Sequence, residues 1–486
     1  MPELTRTENN FIVLLRAALA DRVVDAREVS CEGGDCAVGV RQGTCKGGDC
    51  AVGVRKGTCE GGDCAVGVRQ GTCKGGDRAV GVRQGTCEGG DRAVGVRQGT
   101  CKGGDRAVDA GESAPGFDAQ GVLRLAYEHK LWHMILSAMP QELLPENVNR
   151  RAELIGRVAA QVTASSAFLA LLQDMESAGF HPLVVKGIIC RSLYPHPELR
   201  PSADEDLYVC ADEFEDCCAF LQSRGLVPDK TPFSLYGEVG FRGNNGLYIE
   251  LHRDLFEGEA LSSLSELFDL KALTPERYDS GYGGTVASMD PHRHFLYLLL
   301  HAYKHFVHSG FGIRQVCDIG FWANAYSARI DWQQLSLQCD ALHIKGFTVA
   351  LLGIARHYLG MSLSLSPTWD CTREYCLPML KDLLCGGIYG SADADRLHAG
   401  TMTLNAVSAS GGRKGSSLLR TLFPSRALLH GSYPFLDRHP FLLPVAWLLR
   451  LASYCKRSIR GKTNAAKSLS IGKERLALLR FYGILN

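Results

Sequence analysis

The chain has 486 residues, 45% of them hydrophobic and 22% charged, with a formal net charge of +1. This length allows two or three domains, and the near-neutral balance argues against a general nucleic-acid or anionic-membrane binder. The N-terminus is polar, and the longest apolar run, Pro440 to Leu449, is too short to span a bilayer. We therefore expect a cytoplasmic protein without a membrane span.

Residues 31–108 repeat every fourteen residues after an N-terminal helix within residues 1–30. The unit is Cys-Glu/Lys-Gly-Gly-Asp-Cys/Arg-Ala-Val-Gly-Val-Arg-Gln-Gly-Thr, and its second position alternates strictly between Glu and Lys. Each unit has four glycines and three aliphatic residues, too little apolar surface to offset the entropy of ordering. We expect a disordered insertion. Metal binding by the paired cysteines and a β-solenoid are the alternatives.

The chain beyond the repeat divides into three regions by its pattern of apolar residues. Helical spacing runs through residues 118–180, short strand-like segments alternate with helices in 181–290, and helical spacing returns in 291–486. Because helix-like segments flank the repeat on both sides, we expect residues 1–30 and 118–180 to form one helical subdomain that the repeat interrupts.

A strand, a glycine and a helix follow one another in the middle region. Pro182 to Lys186 predicts a short buried strand, Gly187 comes next, and helical character begins at Ile188. A helix start presents backbone N–H groups that can bind phosphate, and Lys186 adds a positive charge beside them. The pattern is common, so it indicates a phosphate site only together with other signals.

Two acids lie at the start of the next predicted strand. Side chains alternate between faces of a strand, so Asp204 and Asp206 share one face while Glu205 points to the other. Two carboxylates about 4 Å apart repel by roughly 4 kcal/mol at an effective dielectric constant of about 20. A hard cation such as Mg²⁺ removes that repulsion. The alternative is a solvated acidic turn after Pro201.

A third acid lies in a predicted β-hairpin around an Asn-Gly turn. Its second strand carries Glu250 and His252 on one face. Three acids on two adjacent strands suit metal-dependent phosphoryl or nucleotidyl transfer, whereas an exposed edge-strand acid is the alternative for Glu250. His252 has two interpretations, a substrate contact or a packing residue.

Three further polar residues have open roles. Arg200 either orients the loop that carries the aspartates or contacts phosphate. His301 and His305 are four residues apart on a predicted helix and could bind a metal. Their chain segment lacks a His-Glu-x-x-His pattern, which favours a core or rim role for both histidines.

The motifs, taken in order, resemble those of one known family. They are Val185-Lys186-Gly187, Leu193-Tyr194-Pro195, Arg200, Asp204-x-Asp206, Ile249-Glu250-Leu251-His252 and His301-Ala302-Tyr303-Lys304-His305. The order is similar to that of a nucleotidyltransferase family in the DNA polymerase β-like nucleotidyltransferase superfamily. The resemblance covers roughly residues 118–486 and the first helix, and it leaves out the repeat.

This resemblance implies an α+β fold. We expect a small mixed β-sheet nucleotidyltransferase core at 181–290 with flanking helices, followed by a mostly α-helical C-terminal region at 291–486. It also implies a Mg²⁺ or Mn²⁺ site and a nucleoside triphosphate. The catalytic and metal-binding residues would be Asp204, Asp206 and Glu250, and the candidate cofactor-binding residues are Lys186, Gly187, Arg200 and His252.

The function that the resemblance implies is transfer of a nucleotidyl group, adenylyl by expectation, to a small-molecule, sugar or protein acceptor. The alternative is an inactive nucleotide-binding or protein-interaction relative of the same fold. The sequence departs from the superfamily pattern at three positions. Ile188 replaces the usual serine after the glycine, Glu205 replaces an apolar residue between the aspartates, and Glu250 replaces the more common Asp.

Overall fold

The structure, a computed structural model, describes most of the chain outside the repeat. The described residues are 3–22, 117–229, 237–255, 268, 271–386, 433–449 and 465–485, apart from 203, 244, 245, 309, 434 and 448, together with short strands between 36 and 102.

Four helices form the N-terminal subdomain: α1 (Arg6–Leu19), α2 (Ala119–Glu128), α3 (Trp132–Ala138) and α4 (Arg150–Ser177). A capping box begins α1, since the Thr5 side chain accepts from the Glu8 N–H while Glu8 accepts from the Thr5 N–H. Helix α1 packs against α2 and α3, and Thr7 Oγ1 donates to Asp118 at 3.0 Å. The helices on the two sides of the repeat therefore lie together.

Strands of the repeat pair in parallel at an offset of one unit. Cys50–Lys56 pairs with Cys64–Gln70, which pairs with Arg78–Gln84. A second parallel sheet has the order Cys101–Lys102, Cys87–Glu88, Cys73–Lys74, Cys59–Glu60, Cys45–Lys46. The described strands thus pair in parallel, as in the solenoid alternative, while the disorder expected for residues 31–108 stays a prediction.

Stacking of identical units gives a physical reason for this parallel pairing. Parallel strands satisfy one another's backbone N–H and C=O groups, and the energy of each unit includes its interface with the next. At the second position of the unit, the strict alternation makes each Lys the register partner of a Glu, as Glu60 is for both Lys46 and Lys74. A count of aliphatic residues in one unit leaves out the pairing between units.

The middle region contains a five-stranded mixed sheet. Its strands are β1 (Leu183–Val185), β2 (Glu205–Tyr208), β3 (Val227–Pro228), β4 (Glu238–Arg242) and β5 (Tyr248–His252). Their spatial order is β1-β2-β5-β4-β3. Strands β2 and β5 run parallel, and the other neighbours are antiparallel. The α+β prediction with a small mixed sheet is therefore confirmed.

Short helices and a second hairpin flank this sheet. Helix α5 (Gly187–Arg191) follows β1, and α6 (Phe214–Ser223) follows β2. The hairpin of β6 (Glu276–Asp279) and β7 (Thr285–Ser288) packs against β1. Ser288 Oγ donates to the Val184 carbonyl at 2.6 Å, which fixes the hairpin to the sheet.

The C-terminal region is helical wherever the structure describes it, and residues 387–432 and 450–464 lie outside the described residues. Its helices are α7 (Pro291–His308), α8 (Ile313–Ala325), α9 (Trp332–Ala341), α10 (Lys345–His357), α11 (Arg373–Gly386), α12 (Phe435–Arg438) and α13 (Ala465–Phe481). Arg475 on α13 donates to the Phe306 carbonyl on α7. One hydrophobic core joins α7 to α11 and α13 to the sheet and to the N-terminal subdomain. Leu436 of α12 lies in a separate small cluster with Ala446.

Helix α4 is the one described helix that is long and apolar enough to cross a bilayer. Core helices of soluble proteins meet the same criterion. The C-terminal half of α4 supplies Phe168, Leu171, Leu172 and Met175 to the core.

Candidate metal and nucleotide site

The parallel pairing of β2 and β5 brings three ligating side chains together. Asp206 and Glu250 are register partners, so their side chains share a face of the sheet, and His252 lies two residues further on β5. His252 Nε2 is 3.1 Å from Asp206 Oδ1 and 3.9 Å from Glu250 Oε2. Ligand atoms of these three residues lie within 4.8 Å of one another, as the shared face of Glu250 and His252 predicted.

Asp204 lies at the edge of this cluster. It precedes β2, and its carbonyl accepts from Ser202 Oγ at 2.8 Å. It is outside the three-residue group of ligating atoms, yet its charge contributes to raising the pKa of Glu250. The predicted triad is thus assembled in part, with His252 occupying the place nearest to Asp206.

The two carboxyl groups, Asp206 buried and Glu250 half-buried, have opposite pKa shifts. Burial, then the charges of Asp206 and Asp204, raises the pKa of Glu250 to about 7. Burial alone would raise the pKa of Asp206 as well, but Lys186 and His252 outweigh it and lower that pKa. Carboxylates that repel each other in this way fit a divalent cation, because a cation neutralises both.

The His252 ring is held from its other side. Its Nδ1 lies 3.5 Å from Glu238 Oε2 on β4, which is antiparallel to β5. A carboxylate at one imidazole nitrogen orients the other nitrogen, the arrangement common around metal-ligating histidines. Two carboxylates and an oriented imidazole form a donor set that fits Mn²⁺ as well as Mg²⁺. The sequence alone did not identify Glu238, which lies on a different strand.

Lys186 reaches the acids from the end of β1. Its Nζ lies 3.1 Å from Asp206 Oδ1 and 3.0 Å from His301 Nε2. The backbone at Lys186 has a φ of +64°, which is unusual for a residue other than glycine. Its N–H donates to His294 Nε2 at 3.2 Å, and burial lowers the pKa of His294 to about 3, so that this ring is a neutral acceptor. His294 therefore holds Lys186 in its strained conformation.

Helix α7 supplies histidines to the site. His305 Nε2 lies 3.2 Å from His301 Nε2. Burial, then the charges of Lys186 and His305, lowers the pKa of His301 well below its usual value, so His301 accepts from the Lys186 ammonium as a neutral ring. The sequence pattern favoured a core or rim role for His301 and did not predict this contact. The signal was the spacing of His294, His301 and His305, seven and then four apart, which places them on one helix face.

Gly187 and Glu205 meet on the opposite face of β2. As predicted, Glu205 points away from the acids, and it forms a buried ion pair with Arg191. Its Oε2 accepts from the Ile188 N–H at 2.8 Å. A Cβ at Gly187 would overlap that oxygen, and Gly187 has a φ of +41°. The helix-start N–H that was expected to face phosphate therefore binds the protein's own carboxylate.

Two departures from the superfamily pattern are thus connected. The chain lacks a serine after Gly187, and the carboxylate of Glu205 takes the neighbouring N–H group. Glycine is required at 187 because the Glu205 side chain approaches the backbone closely there. Lys186 remains as the candidate phosphate contact from this segment.

Arg200 anchors the loop that leads to the aspartates. Its guanidinium is 3% exposed and donates to Asp318 on α8 at 2.8 and 2.6 Å. Tyr194 also donates to Asp318, at 2.8 Å. Arg314, on the same helix, donates to the Pro201 carbonyl. Of the two predicted roles for Arg200, the structure supports the orientation of the acid loop.

Comparison with known proteins gives one family. A family model described as uncharacterised nucleotidyltransferase matches residues 115–360, about half of the chain. This match spans the sheet, every predicted site residue and α7. No curated protein matches the chain significantly.

Two solved structures show low similarity. One is an antigenic nucleotidyltransferase-like protein from Paracoccidioides brasiliensis, at 14% identity, covering 42% of this chain and 96% of its own, with a TM-score of 0.27. The other is a tRNA nucleotidyltransferase complexed with a primer tRNA and an incoming ATP analog, at 11% identity, covering 59% and 99%, with a TM-score of 0.17. TM-scores this low support no inference, so the family assignment rests on the family model alone.

Proposed function

Because the chain belongs to this family of uncharacterised nucleotidyltransferases, we propose that it transfers a nucleotidyl group, adenylyl in the first instance, from a nucleoside triphosphate to an acceptor. The acceptor class is a hydroxyl or phosphate of a small molecule, a sugar or a protein. The observation that carries the proposal is the convergence of Asp206, Glu250 and His252 within 4.8 Å, next to the ammonium of Lys186.

The acids would hold the metal. Asp206 and Glu250 would bind Mg²⁺ or Mn²⁺ directly, His252 would complete the donor set, and Asp204 would add negative charge at the rim. When bound, such a cation neutralises charge that develops on the transferring phosphoryl group. Asp206, whose pKa is lowered, keeps its charge at neutral pH and is the anchor of the site.

Lys186 would bind the phosphates. Its ammonium now lies between Asp206 and the neutral ring of His301. A cation at the carboxylates would repel the ammonium from Asp206, while His301 would keep it at the site. A triphosphate oxygen is the acceptor that such a displaced ammonium needs. Arg200 would act through Asp318 by holding the acid loop, without touching the nucleotide.

A labelling assay tests the proposal. The full chain is incubated with Mg²⁺ or Mn²⁺, α-labelled nucleotides and a panel of acceptors. Asp206→Asn and Glu250→Gln should each lower transfer by at least about 100-fold, the order expected when one charge-stabilising group is removed. Glu215→Gln, an exposed acid on α6, is the matched control and should retain activity. Equal transfer by Asp206→Asn and the wild type would refute the proposal.

An inactive relative is the second candidate, and one observation favours it. Glu205 binds the Ile188 N–H, so this helix start offers the triphosphate one donor fewer. An inactive relative should show saturable nucleotide binding with no label transfer to any acceptor. Transfer that depends on Asp206 would exclude it.

A further inference from the structure

Arg191 contacts Glu205 on the face of β2 that points away from the acids, and three further arginines belong to neighbouring elements. The four are Arg157 on α4, Arg191 at the end of α5, Arg200 before the acid loop and Arg314 on α8. Arg191 is fully buried. Burial, followed by the charges of the other arginines among its neighbours, lowers the pKa of Arg157. Geometry links Arg157 to Arg191, because Arg157 donates to Gln161, Gln161 donates to Ser165 Oγ, and Arg191 donates to the same Oγ.

Among the residues that the structure describes, two of these charges have no carboxylate partner. Glu205 pairs with Arg191, and Asp318 pairs with Arg200. Arg157 donates instead to the neutral Gln161 side chain at 2.5 Å, and Arg314 donates to a backbone carbonyl. Two other acids of the same segments, Glu153 and Glu198, contact histidines instead of these arginines. Glu153 lies 3.9 Å from His133, and Glu198 lies 3.4 Å from His196.

The cluster also retains buried donors. In the part of the chain that the structure describes, five guanidinium nitrogens have no hydrogen-bond acceptor: Nε of Arg157, Nε and Nη1 of Arg191, Nη1 of Arg200 and Nε of Arg314. Buried donors in proteins are almost always paired. Ser165 Oγ, 3.4 Å from Arg191 Nη2, adds a hydroxyl to the same place.

We propose that Arg157, Arg191 and Arg314 form a binding site for a phosphate group, separate from the acid site and supported by Arg200. The planar guanidinium fork matches the oxygens of phosphate, and the two uncompensated positive charges match a phosphate dianion better than a single carboxylate. The ligand is inorganic phosphate or the phosphate of a phosphorylated small molecule. This site does not depend on nucleotidyl transfer, because its residues are not those of the acid site.

The position of the site gives it a route to the acids. Arg200 and Arg314 hold the two ends of the Arg200–Pro201 step that leads to Asp204. A phosphate bound to Arg314 would contact the same segment. Occupancy is therefore expected to stiffen the loop that carries Asp204.

Calorimetric titration of the full chain at pH 8 in EDTA, without nucleotide, tests the site. The probes are inorganic phosphate and glycerol 3-phosphate. EDTA removes the divalent metal through which the acid site would bind a phosphate group. Arg157→Gln should weaken binding of the preferred probe by at least about tenfold, as expected for loss of a charge-assisted hydrogen bond. Arg151→Gln, an exposed change of equal charge on the same helix, should leave the affinity unchanged.

The remaining variants show whether phosphate binds at the arginines or at the acid site. Arg157→Lys keeps the charge, loses the fork and should also weaken binding, so it replaces Arg157→Gln if that variant fails to fold. Asp206→Asn should bind phosphate as the wild type does. Tighter binding of inorganic phosphate or of glycerol 3-phosphate shows whether the ligand is free phosphate or a phosphorylated small molecule, and either result supports the site. Absence of saturable binding to the wild type, an unchanged affinity in both Arg157 variants, or loss of binding in Asp206→Asn would overturn the proposal.

Discussion

Lys186 Nζ lies 3.1 Å from Asp206 Oδ1, so a lysine ammonium occupies the side of the buried carboxylate where a cation would bind. The contact follows from the antiparallel register of β1 and β2, which sets Val185 opposite Asp206. It neutralises Asp206 in the metal-free protein and makes the lysine a competitor of any incoming cation.

Replacing this lysine should separate metal binding from nucleotide use. Lys186→Met removes the competing ammonium, so Mn²⁺ affinity measured by electron paramagnetic resonance should rise several-fold. Label transfer should fall, because the proposed phosphate contact is lost. Lys271→Met is the control, since Lys271 is exposed and pairs with Asp212. A fall in Mn²⁺ affinity in Lys186→Met would contradict the competition.

Cation binding should depend on pH through Glu250. Its pKa of about 7 means that a proton occupies the carboxyl below neutrality and competes with metal. Apparent Mn²⁺ affinity should rise between pH 6 and pH 8 by about tenfold per pH unit below 7 and level off above it. In Glu250→Gln the affinity should be lower and this part of the pH dependence should vanish. An unchanged pH profile in Glu250→Gln would assign the effect to another group.

Acid should destabilise the fold through His129. This ring is fully buried between Phe11, the Ile313 N–H and the Leu384 carbonyl, and burial lowers its pKa to about 4. The unfolded chain binds a proton at this histidine below about pH 6.5 while the folded chain does not. Stability is therefore present above pH 6.5 and is lost as the pH falls towards 4, by on the order of 2–3 kcal/mol from this residue.

Denaturant unfolding at pH 7.5 and pH 5 checks this sign. The loss on acidification should be smaller in His129→Phe than in the wild type. His343→Asn, at an exposed position with positive φ that asparagine tolerates, should lose as much as the wild type. A wild type that is more stable at pH 5 than at pH 7.5 would show that other groups dominate.

The close approach of Glu205 to Gly187 gives a stability prediction. Gly187→Ala should destabilise the protein by more than about 2 kcal/mol, because it adds an overlap with Glu205 to the strain of a positive φ. Gly179→Ala has a positive φ of 92° with no atom near the added Cβ and should cost about 1 kcal/mol. Thermal unfolding measures both. Equal costs would mean that the Glu205 contact does not constrain position 187.

The acid face was predictable from the sequence, because strand alternation is local. Asp206, Glu250 and His252 needed only two strand assignments and their adjacency. Arg200 and Asp318 are different, since their contact joins residues far apart in the chain and depends on how α8 packs. The pairing of the repeat strands has a related cause. It follows from the register between units, in which Glu60 is the partner of Lys46 and Lys74, and no single unit contains that information.

The central claim is that Asp206, Glu250 and His252 hold a divalent cation. The most direct measurement is an anomalous difference map from crystals soaked in Mn²⁺ with a non-hydrolysable nucleoside triphosphate. We predict a peak bounded by Asp206 and Glu250, with the Lys186 ammonium moved from Asp206 to a phosphate oxygen. A map with no peak there, and Lys186 still paired with Asp206, would contradict the account.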